Sequence, residues 1–426
     1  MYRELLTNKA FLLLFLGRLI TNAGDSVYLV ATLWYLSQSD ASGVVAGLAG
    51  FLITVPQVFQ FLFGPFVDRL QVKPVVVGAQ IVQGVFVTFL LILVTKNAPA
   101  LLVLPVVFGI HLVATAAKPA YGKWMRIIVP DRLMVHASSI MGFANETADV
   151  VFNSMSGVII ATVGVAGSLW FDVSTFAVAM VLFGLIGVSQ MARESALGKL
   201  SFKAFWGDLV QGVGFVSGTL VGKIALTAVL ANGLNGMLLP ILPHIGEALG
   251  GPEYYGFLVA AQSAGILAGT LVAPLLTGVN VGILVIGCMV TSTIAWVGSV
   301  VAAFIFGSPD VSVSMFGVAW LPVGIMNVVV SSAVMVITPP HFVGRVGSTV
   351  QSISTMVMPV GALIGGVLAG FSSVGTVFGL TCLTPLSIAL LWVAIRDLRG
   401  MPAASKLTPL PLAEGADKGR EQLAET

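Results

Sequence analysis

The chain has 426 residues, of which 57% are hydrophobic and 9% charged, with a formal net charge of +2 and a mean hydropathy of +1.02. Soluble domains carry about 25% charged residues, so no water-soluble particle of this length could hide so much apolar surface, and lipid is the expected solvent for most of the chain. The near-neutral charge balance points away from a polyanion surface and predicts no nucleic-acid partner.

The first apolar run, near 9–36, is too long for a signal-peptide core and lacks a small-residue cleavage site, so it is predicted to be a membrane helix. Runs of spanning length follow near 43–65, 75–95, 100–118, 137–163 and 168–190. After a polar stretch they resume near 222–243, 255–277, 281–306, 311–337, 348–371 and 375–396. Lipid offers backbone N–H and C=O groups no partner, and no short alternating segments suggest a barrel, so every run is predicted to be helical. The expected fold class is an all-α membrane protein with twelve spans in two pseudo-symmetric six-helix bundles, at 1–190 and 222–396. A cytoplasmic linker at 191–221 joins them, and its segment from Ser201 to Val210 suits a helix lying on the inner surface. The remainder, 397–426, is rich in Pro, Ala, Glu and Lys and is expected to be a disordered cytoplasmic tail.

Lys and Arg collect in cytoplasmic loops. With the N-terminus inside, Arg69, Lys73, Lys118, Lys123, Arg126, Arg132, Lys223, Arg396 and Arg399 all fall on the inner side, whereas Lys96 falls outside and Arg18 within the membrane. Both termini are therefore expected to be cytoplasmic in a multi-pass protein of the inner or plasma membrane. Cys288 and Cys382 lie in separate apolar runs and read as packing residues, with neither a disulfide framework nor a metal spacing. A weak repeat links the halves: Pro65 with Pro274, Pro130 with Pro339, and Gly157 with Gly366 share one separation.

Ionisable groups deep in these runs need a reason, because each costs about 2.5–3.5 kcal/mol on insertion scales. At about 1.5 Å of rise per residue, Asp25, His111, Glu146 and Asp149 fall at similar mid-membrane depth. Glu146 and Asp149 are three residues apart and share a helix face. Two carboxylates in one poorly solvated place resist double ionisation, which makes this set the candidate for proton coupling. Arg18, two helical turns before Asp25, is placed to neutralise one of them. Core packing or an interhelical hydrogen bond is the plainer account of His111. In the second half, Asn232, Asn235 and Asn327 lie at similar depth and are the substrate-cavity candidates, with polar contacts between helices as the alternative. Met237, Met326, Phe143, Trp34 and Trp320 are near them in sequence and suit an adaptable lining.

Two stretches resemble a known family. The run FLGRLITNAGDSVYLVA at 15–31 is similar to the first helix of a branch of the major facilitator superfamily that includes macrolide-efflux and enterobactin-export proteins. GPFVDRLQVKP at 64–74 resembles the superfamily's loop between its second and third spans, departing from it at Gln71 and Val72, where the family pattern has Gly and Arg. The fifth run also departs, since the region around Gly157 has no proline. The resemblance covers nearly all of 1–396. It implies a proton-coupled exporter working by alternating access, with an inner gate at Gly64, Asp68, Arg69 and Lys73. The residues of that loop carry their own logic: Gly64 permits close backbone approach, and Asp68 can accept charge-assisted hydrogen bonds.

No G-x-x-x-x-G-K-[ST] loop, H-E-x-x-H motif or Cys/His cluster occurs, so neither a cofactor, a metal site nor enzymatic chemistry is expected. The expected partners are a small-molecule substrate, protons as coupling ion and the lipid bilayer, with one chain sufficing as a monomer. Export of a siderophore, lipid or metal ion stays open as another cargo for a carrier. A channel or a membrane-embedded enzyme is the alternative from a different class.

Overall fold

The computed structural model describes residues 2–39, 43–67, 70–187, 214, 216, 219–339 and 343–408. Before the linker the helices are the short Tyr2–Thr7, then Lys9–Ser39, Val44–Val58 with Gln60–Val67, Val72–Thr95, Ala100–Ile128 and Asp131–Gly184. After it come Leu220–Gly236 with Leu238–Leu249, Pro252–Val272, Val281–Phe304, Pro309–Ile337, Val343–Met356 with Met358–Phe371, and Val374–Thr381 with Leu383–Ala394. There is no strand among the described residues. Nine helices there are long and apolar enough to cross a membrane, or ten if the bent Leu220–Gly236 and Leu238–Leu249 pair is one span.

The interruptions follow from local chemistry. The 54-residue run Asp131–Gly184 would be about 80 Å long if straight, against a hydrocarbon layer of about 30 Å. Gly164 breaks it at φ 73°, between the runs predicted at 137–163 and 168–190. Glycine alone adopts that left-handed backbone without a Cβ penalty. Elsewhere proline sets the break. Pro240 has no N–H for the Gly236 carbonyl, and the chain bends by 40° there. Pro359 and Pro385 deprive the carbonyls of Thr355 and Thr381 in the same way, next to the interruptions at Val357 and Cys382. One helix exceeds its predicted run: Ala100–Ile128 continues well past 118, so Lys118 sits inside a helix rather than at its end.

Packing divides the molecule lengthwise. At one end a single apolar core draws on both sides of the linker, with Tyr28, Leu36, Val94 and Ile110 from the first 190 residues and Leu238, Tyr255, Trp296 and Phe378 from the rest. At the other end there are two separate cores. One holds Phe11, Leu14, Trp124 and Phe183, and the other Val281, Met289, Ile337 and Trp392.

Two helix pairs close the shared end: Asp131–Gly184 packs on Pro252–Val272, and Val44–Val58 packs on Met358–Phe371. Both contacts run glycine to glycine. A Cβ built on Gly256 would lie 2.8 Å from Gly157 Cα, and one on Gly47 would lie 2.7 Å from Gly366 Cα. The backbones approach closely because neither partner carries a side chain.

Part of the expected disordered tail is ordered. Arg396–Arg399 is helical, Ala404–Lys406 forms a turn, and Ala403 bridges Asn280. Leu398 and Met401 are almost fully buried in the second separate core, and Ala403 is also buried, which is the apolar reason the chain stays down. Asp397 beside them accepts a hydrogen bond from Lys223 Nζ, and that ammonium holds its carboxyl below the usual carboxylate range. Residues 409–426 lie outside the described residues, as does the linker segment 191–221 with its expected surface helix, apart from 214, 216 and 219–221.

Candidate functional site

A charged cluster occupies the first half between the two levels of core. Residues 18–26 of the Lys9–Ser39 helix lie between Leu14, in a separate core, and Tyr28, in the shared one. This helix packs along Asp131–Gly184. Asn22 and Ser26, one turn apart on a common face, both donate to Asp149 Oδ1, at 2.9 Å each. Asn22 Nδ2 also reaches the Asn145 carbonyl at 3.2 Å. Asp149 is thus fastened to the first long helix. Asp25 feels the charges of Arg18, Asp149 and Lys118. Arg18 places its Cζ 4.3 Å from the centroid of the Tyr121 ring, a cation–π arrangement, and Gln80 Nε2 donates to Tyr121 Oη at 2.9 Å. Three of the predicted proton-coupling residues, Arg18, Asp25 and Asp149, therefore come together. His111 stands beside them, its ring 5.8 Å from that of Tyr28 and its Nε2 buried without a partner. Glu146 is helical in Asp131–Gly184, and its side chain lies outside the described residues.

Sequence reading missed two members of this cluster. Asp172 is fully buried: its Oδ1 accepts from Thr175 Oγ1 at 3.3 Å, while Oδ2 has no partner. It acts electrostatically on both Asp25 and Tyr28. Gly24 makes the room, since a Cβ there would collide with Asp172 Oδ1 and Thr175 Oγ1. The signal was the one that singled out Asp25, a carboxylate inside an apolar run. Lys118 was hidden by the helix boundary.

The second half holds a cavity of about 710 Å³. Asn232, Asn235 and Asn327 all line it, together with Gln262 and the methionines Met289, Met326, Met335 and Met358. Trp296 and Trp320 form one wall, with ring centroids 5.4 Å apart and the edge of Phe316 against Trp296. Of the other expected lining residues, Trp34 instead stacks on Tyr255 at the shared end, and Met237 is buried against the helix break. Phe143 is exposed and does not line the cavity.

At the expected inner gate, Gly64 is helical within Gln60–Val67, while Asp68 and Arg69 lie outside the described residues. Lys73 Nζ donates to the carbonyls of Gly184 and Ile186 at 2.6 and 2.8 Å. That is how a lysine caps the negative end of a helix. No group of three or more His, Cys, Asp or Glu with metal-holding geometry occurs among the described residues.

No family model matches the chain. It is 23% identical over 419 residues to the multidrug efflux pump Tap of Mycolicibacterium fortuitum, a match covering 93% of this chain and 98% of that protein. Among solved structures, a variant of the nucleoside transporter NupG superposes with a TM-score of 0.70 at 12% identity, covering 90% of this chain and 99% of that one. A bacterial homologue of the human lysosomal transporter Spinster gives 0.63 at 12% identity, covering 92% and 95% of the two chains. The inward-open xylose transporter XylE of E. coli gives 0.62 at 13% identity, covering 91% and 95%. These relatives are transporters rather than enzymes.

Proposed function

We propose that this chain, a multi-span membrane protein with the major facilitator transporter fold, exports amphiphilic small molecules by alternating access in exchange for protons. The observation that supports the reading is the lengthwise division of packing: one shared core closes one end, and among the described residues the other end holds two separate cores, one from each half. The cavity and the charged cluster lie between these levels. A carrier needs one closed gate, a central site and one open side, with the two halves rocking about the site.

The finer topology belongs to the same proposal. Each interrupted helix pair counts as one crossing, and the break at Gly164 makes two crossings of Asp131–Gly184, so that twelve spans form two bundles of six. The open end is the cytoplasmic one, because it carries Lys73, Lys123, Arg126, Arg132, Lys223 and Arg399. Residues 1–190 and 222–396 are the two bundles, and one chain is the working unit in the cell membrane.

For coupling, Asp25 and Asp149 share one exchangeable proton, since neighbouring carboxylates in a poorly solvated site do not both stay ionised. Arg18 stabilises the ionised member, and the Asn22 and Ser26 donors hold Asp149 ready to accept the charge. When the halves rock, the solvation of this cluster changes and the proton leaves on the opposite side. Export of drug-like cargo is supported by the name of the Tap relative and by a cavity that is large, mostly apolar and rich in methionine.

The test uses purified protein in vesicles carrying a pH gradient and a panel of amphiphiles. The native chain is expected to accumulate some of them only while the gradient lasts, and Asp25→Asn with Asp149→Asn together is expected to abolish accumulation while leaving equilibrium binding in place. Gradient-driven accumulation that persists in the double variant sinks the coupling scheme, and failure to move any compound sinks the exporter reading itself.

A further inference from the structure

The two glycine seams of the closed end match in backbone and differ in side chains. Where Asp131–Gly184 meets Pro252–Val272, Asn153 Nδ2 donates across the seam to Ser263 Oγ at 3.3 Å. Ser263 donates in turn to the Val259 carbonyl of its own helix at 3.1 Å. The separation of 209 residues that relates Gly157 to Gly366 places Ala362 at the position of Asn153 and Thr54 at that of Ser263. Ala362 has no polar side chain, and Thr54 turns its hydroxyl onto the Gly50 carbonyl of its own helix at 2.7 Å. The polar bond therefore belongs to the seam whose helix carries Asp149, and the matching positions of the other seam do not repeat it.

Each end of this bond leads to one of the two sites. Asn153 lies one turn beyond Asp149 on a common face, and Asn22 and Ser26 fasten Asp149 to the first long helix. Ser263 follows Gln262, which lines the cavity. Two residues on, Gly265 lets the same helix close on the cavity wall, since a Cβ there would lie 2.9 Å from Trp320 Cβ. At 3.3 Å the bond is at the long end of its range, and a further displacement of about 0.3 Å loses it. It therefore tolerates little rotation of the helix that carries Asp149. An ionised Asp149 resists rotation through charge-assisted bonds from Asn22 and Ser26, and a proton on the carboxylate weakens them.

The charged groups that face Asp149 from the first long helix are Arg18 and Asp25, with Lys118 and Asp172 reaching Asp25 behind them. On its own helix Glu146 has a side chain outside the described residues. The remaining charges on the helices packed against it are engaged far away: Lys73 on the Gly184 and Ile186 carbonyls, and Glu4 on Arg132. Glu253 meets Gly157, two turns beyond Asp149.

We propose, resting on the exporter reading, that Asn153 and Ser263 are positioning residues for the exchange, whose bond locks the closed end while the carrier is empty and Asp149 is ionised. A proton on Asp149 frees one side of the bond, and cargo pressing on the Gln262 and Trp320 wall shifts the other. The halves then rock with either load and stay locked with neither, which keeps the exchange tight.

Spin labels at Asn97→Cys and Ser308→Cys, with Cys288 and Cys382 replaced by Ala, report opening of the shared end in the full-length protein in nanodiscs without cargo. From about pH 8 to about pH 5 the native long-distance population is expected to grow at least about 5-fold relative to the closed one. In Ser263→Ala and in Asn153→Leu that population is expected to be raised already at the higher pH and to change by less than about 2-fold. The double variant should do no more than either alone, and Ser263→Thr, which keeps the hydroxyl, should respond as the native chain does. A bond that only strengthens the seam would raise the population by one factor at every pH and leave the response intact. Cargo-free vesicles holding a pH-sensitive dye give the second readout: both variants are expected to leak protons, because an unlocked carrier returns empty, whereas the native chain holds the gradient. A native pH response retained by both variants overturns the proposal, as does a native population indifferent to pH, or a gradient held as tightly by the variants as by the native chain. Should Asn153→Leu not fold, Ser263→Ala against Ser263→Thr decides alone. Neither readout needs cargo, so a native chain that moves no compound removes the exporter reading while the lock stands or falls by its own response to pH.

Discussion

The glycine contacts at the closed end can be perturbed with a single methyl group. In the observed state a Cβ on Gly366 would press on the backbone of Gly47 and on the Gly43 carbonyl, and a Cβ on Gly256 would press on the backbone of Gly157 and the Asn153 carbonyl. Backbone atoms of a packed helix cannot swing aside as the tip of a side chain can. Relief requires the two helices to part, and overpacking of this kind costs about 1–3 kcal/mol. In the alternate state of the proposed cycle, in which this end opens, none of that cost would be borne. Gly366→Ala or Gly256→Ala is therefore expected to shift the balance of the two states toward opening of the closed end by roughly 5- to 150-fold. Spin labels at Asn97→Cys and Ser308→Cys, in turns flanking the shared core, report the separation once Cys288 and Cys382 are replaced by Ala. Pulsed dipolar spectroscopy should show a longer-distance population growing in either variant. Gly287→Ala is the reference, because nothing lies within 4 Å of a Cβ at that position. A distance distribution identical to the parent's, in variants that melt normally, would refute the claim that these contacts hold the end shut.

Two further outcomes follow from single residues. Gly24→Ala drives a Cβ into Asp172 Oδ1 and Thr175 Oγ1, which are too buried to yield. The gain of about 1 kcal/mol from replacing a helical glycine is offset by overpacking of about 1–3 kcal/mol. Gly122→Ala, helical with open space around its Cβ, keeps the gain, so in detergent unfolding Gly24→Ala should fall below both the parent and Gly122→Ala; equal stability of the two variants removes the packing argument. At the surface, Asp397 titrates below its unfolded value of about 3.9 because Lys223 hydrogen-bonds it. A depressed carboxylate contributes stability above its unfolded pKa and loses it as pH falls through the folded one. Asp397→Asn should thus lower the melting temperature slightly at neutral pH, with the difference fading below about pH 4; a difference that grows on acidification contradicts the pairing.

Much of the fold was legible because lipid allows few solutions. Apolar length gave the helices: among the described residues each predicted run overlaps a helix or an adjoining pair, with those near 137–163 and 168–190 sharing Asp131–Gly184. The interruptions at Val357 and Cys382 were also written in Pro359 and Pro385, but a run of hydropathy does not register a missing N–H. The tail boundary was misplaced for a different reason: Leu398 and Met401 are only two apolar residues among polar ones, and their value depends on a core that forms elsewhere in the chain. In the site, depth reasoning brought Arg18, Asp25 and Asp149 together because these helices are regular and cross the same slab. It could not find Lys118, whose position turned on where a helix ends. Nor could it see that Asn22 and Ser26 would engage Asp149, because facing across helices depends on rotation about each axis. The three asparagines fell on one cavity, whereas Trp34, Phe143 and Met237, named by proximity in sequence, did not.

The weak repeat explains why the closed end is built from two similar contacts. Pro65 and Pro274, Pro130 and Pro339, and Gly157 and Gly366 are each 209 residues apart, and so are Gly47 and Gly256. Applied to the contact of Gly47 with Gly366, that separation carries Gly47 onto Gly256 and relates Gly366 back to Gly157, which is the second contact. One packing solution is thus used twice, with the halves exchanging roles, as a two-fold axis between them requires. Such symmetry suits the proposed rocking motion, because each half offers the other the same smooth, side-chain-free seam and both seams could part together. The symmetry stops at the chemistry: the first half carries Arg18, Asp25, Lys118, Asp149 and Asp172, and the cavity wall of the second carries amides and indoles. On the proposed function, a duplicated scaffold whose contacts stayed alike while its linings diverged would couple two unlike cargoes, a proton on one side and an organic molecule on the other, through one shared movement.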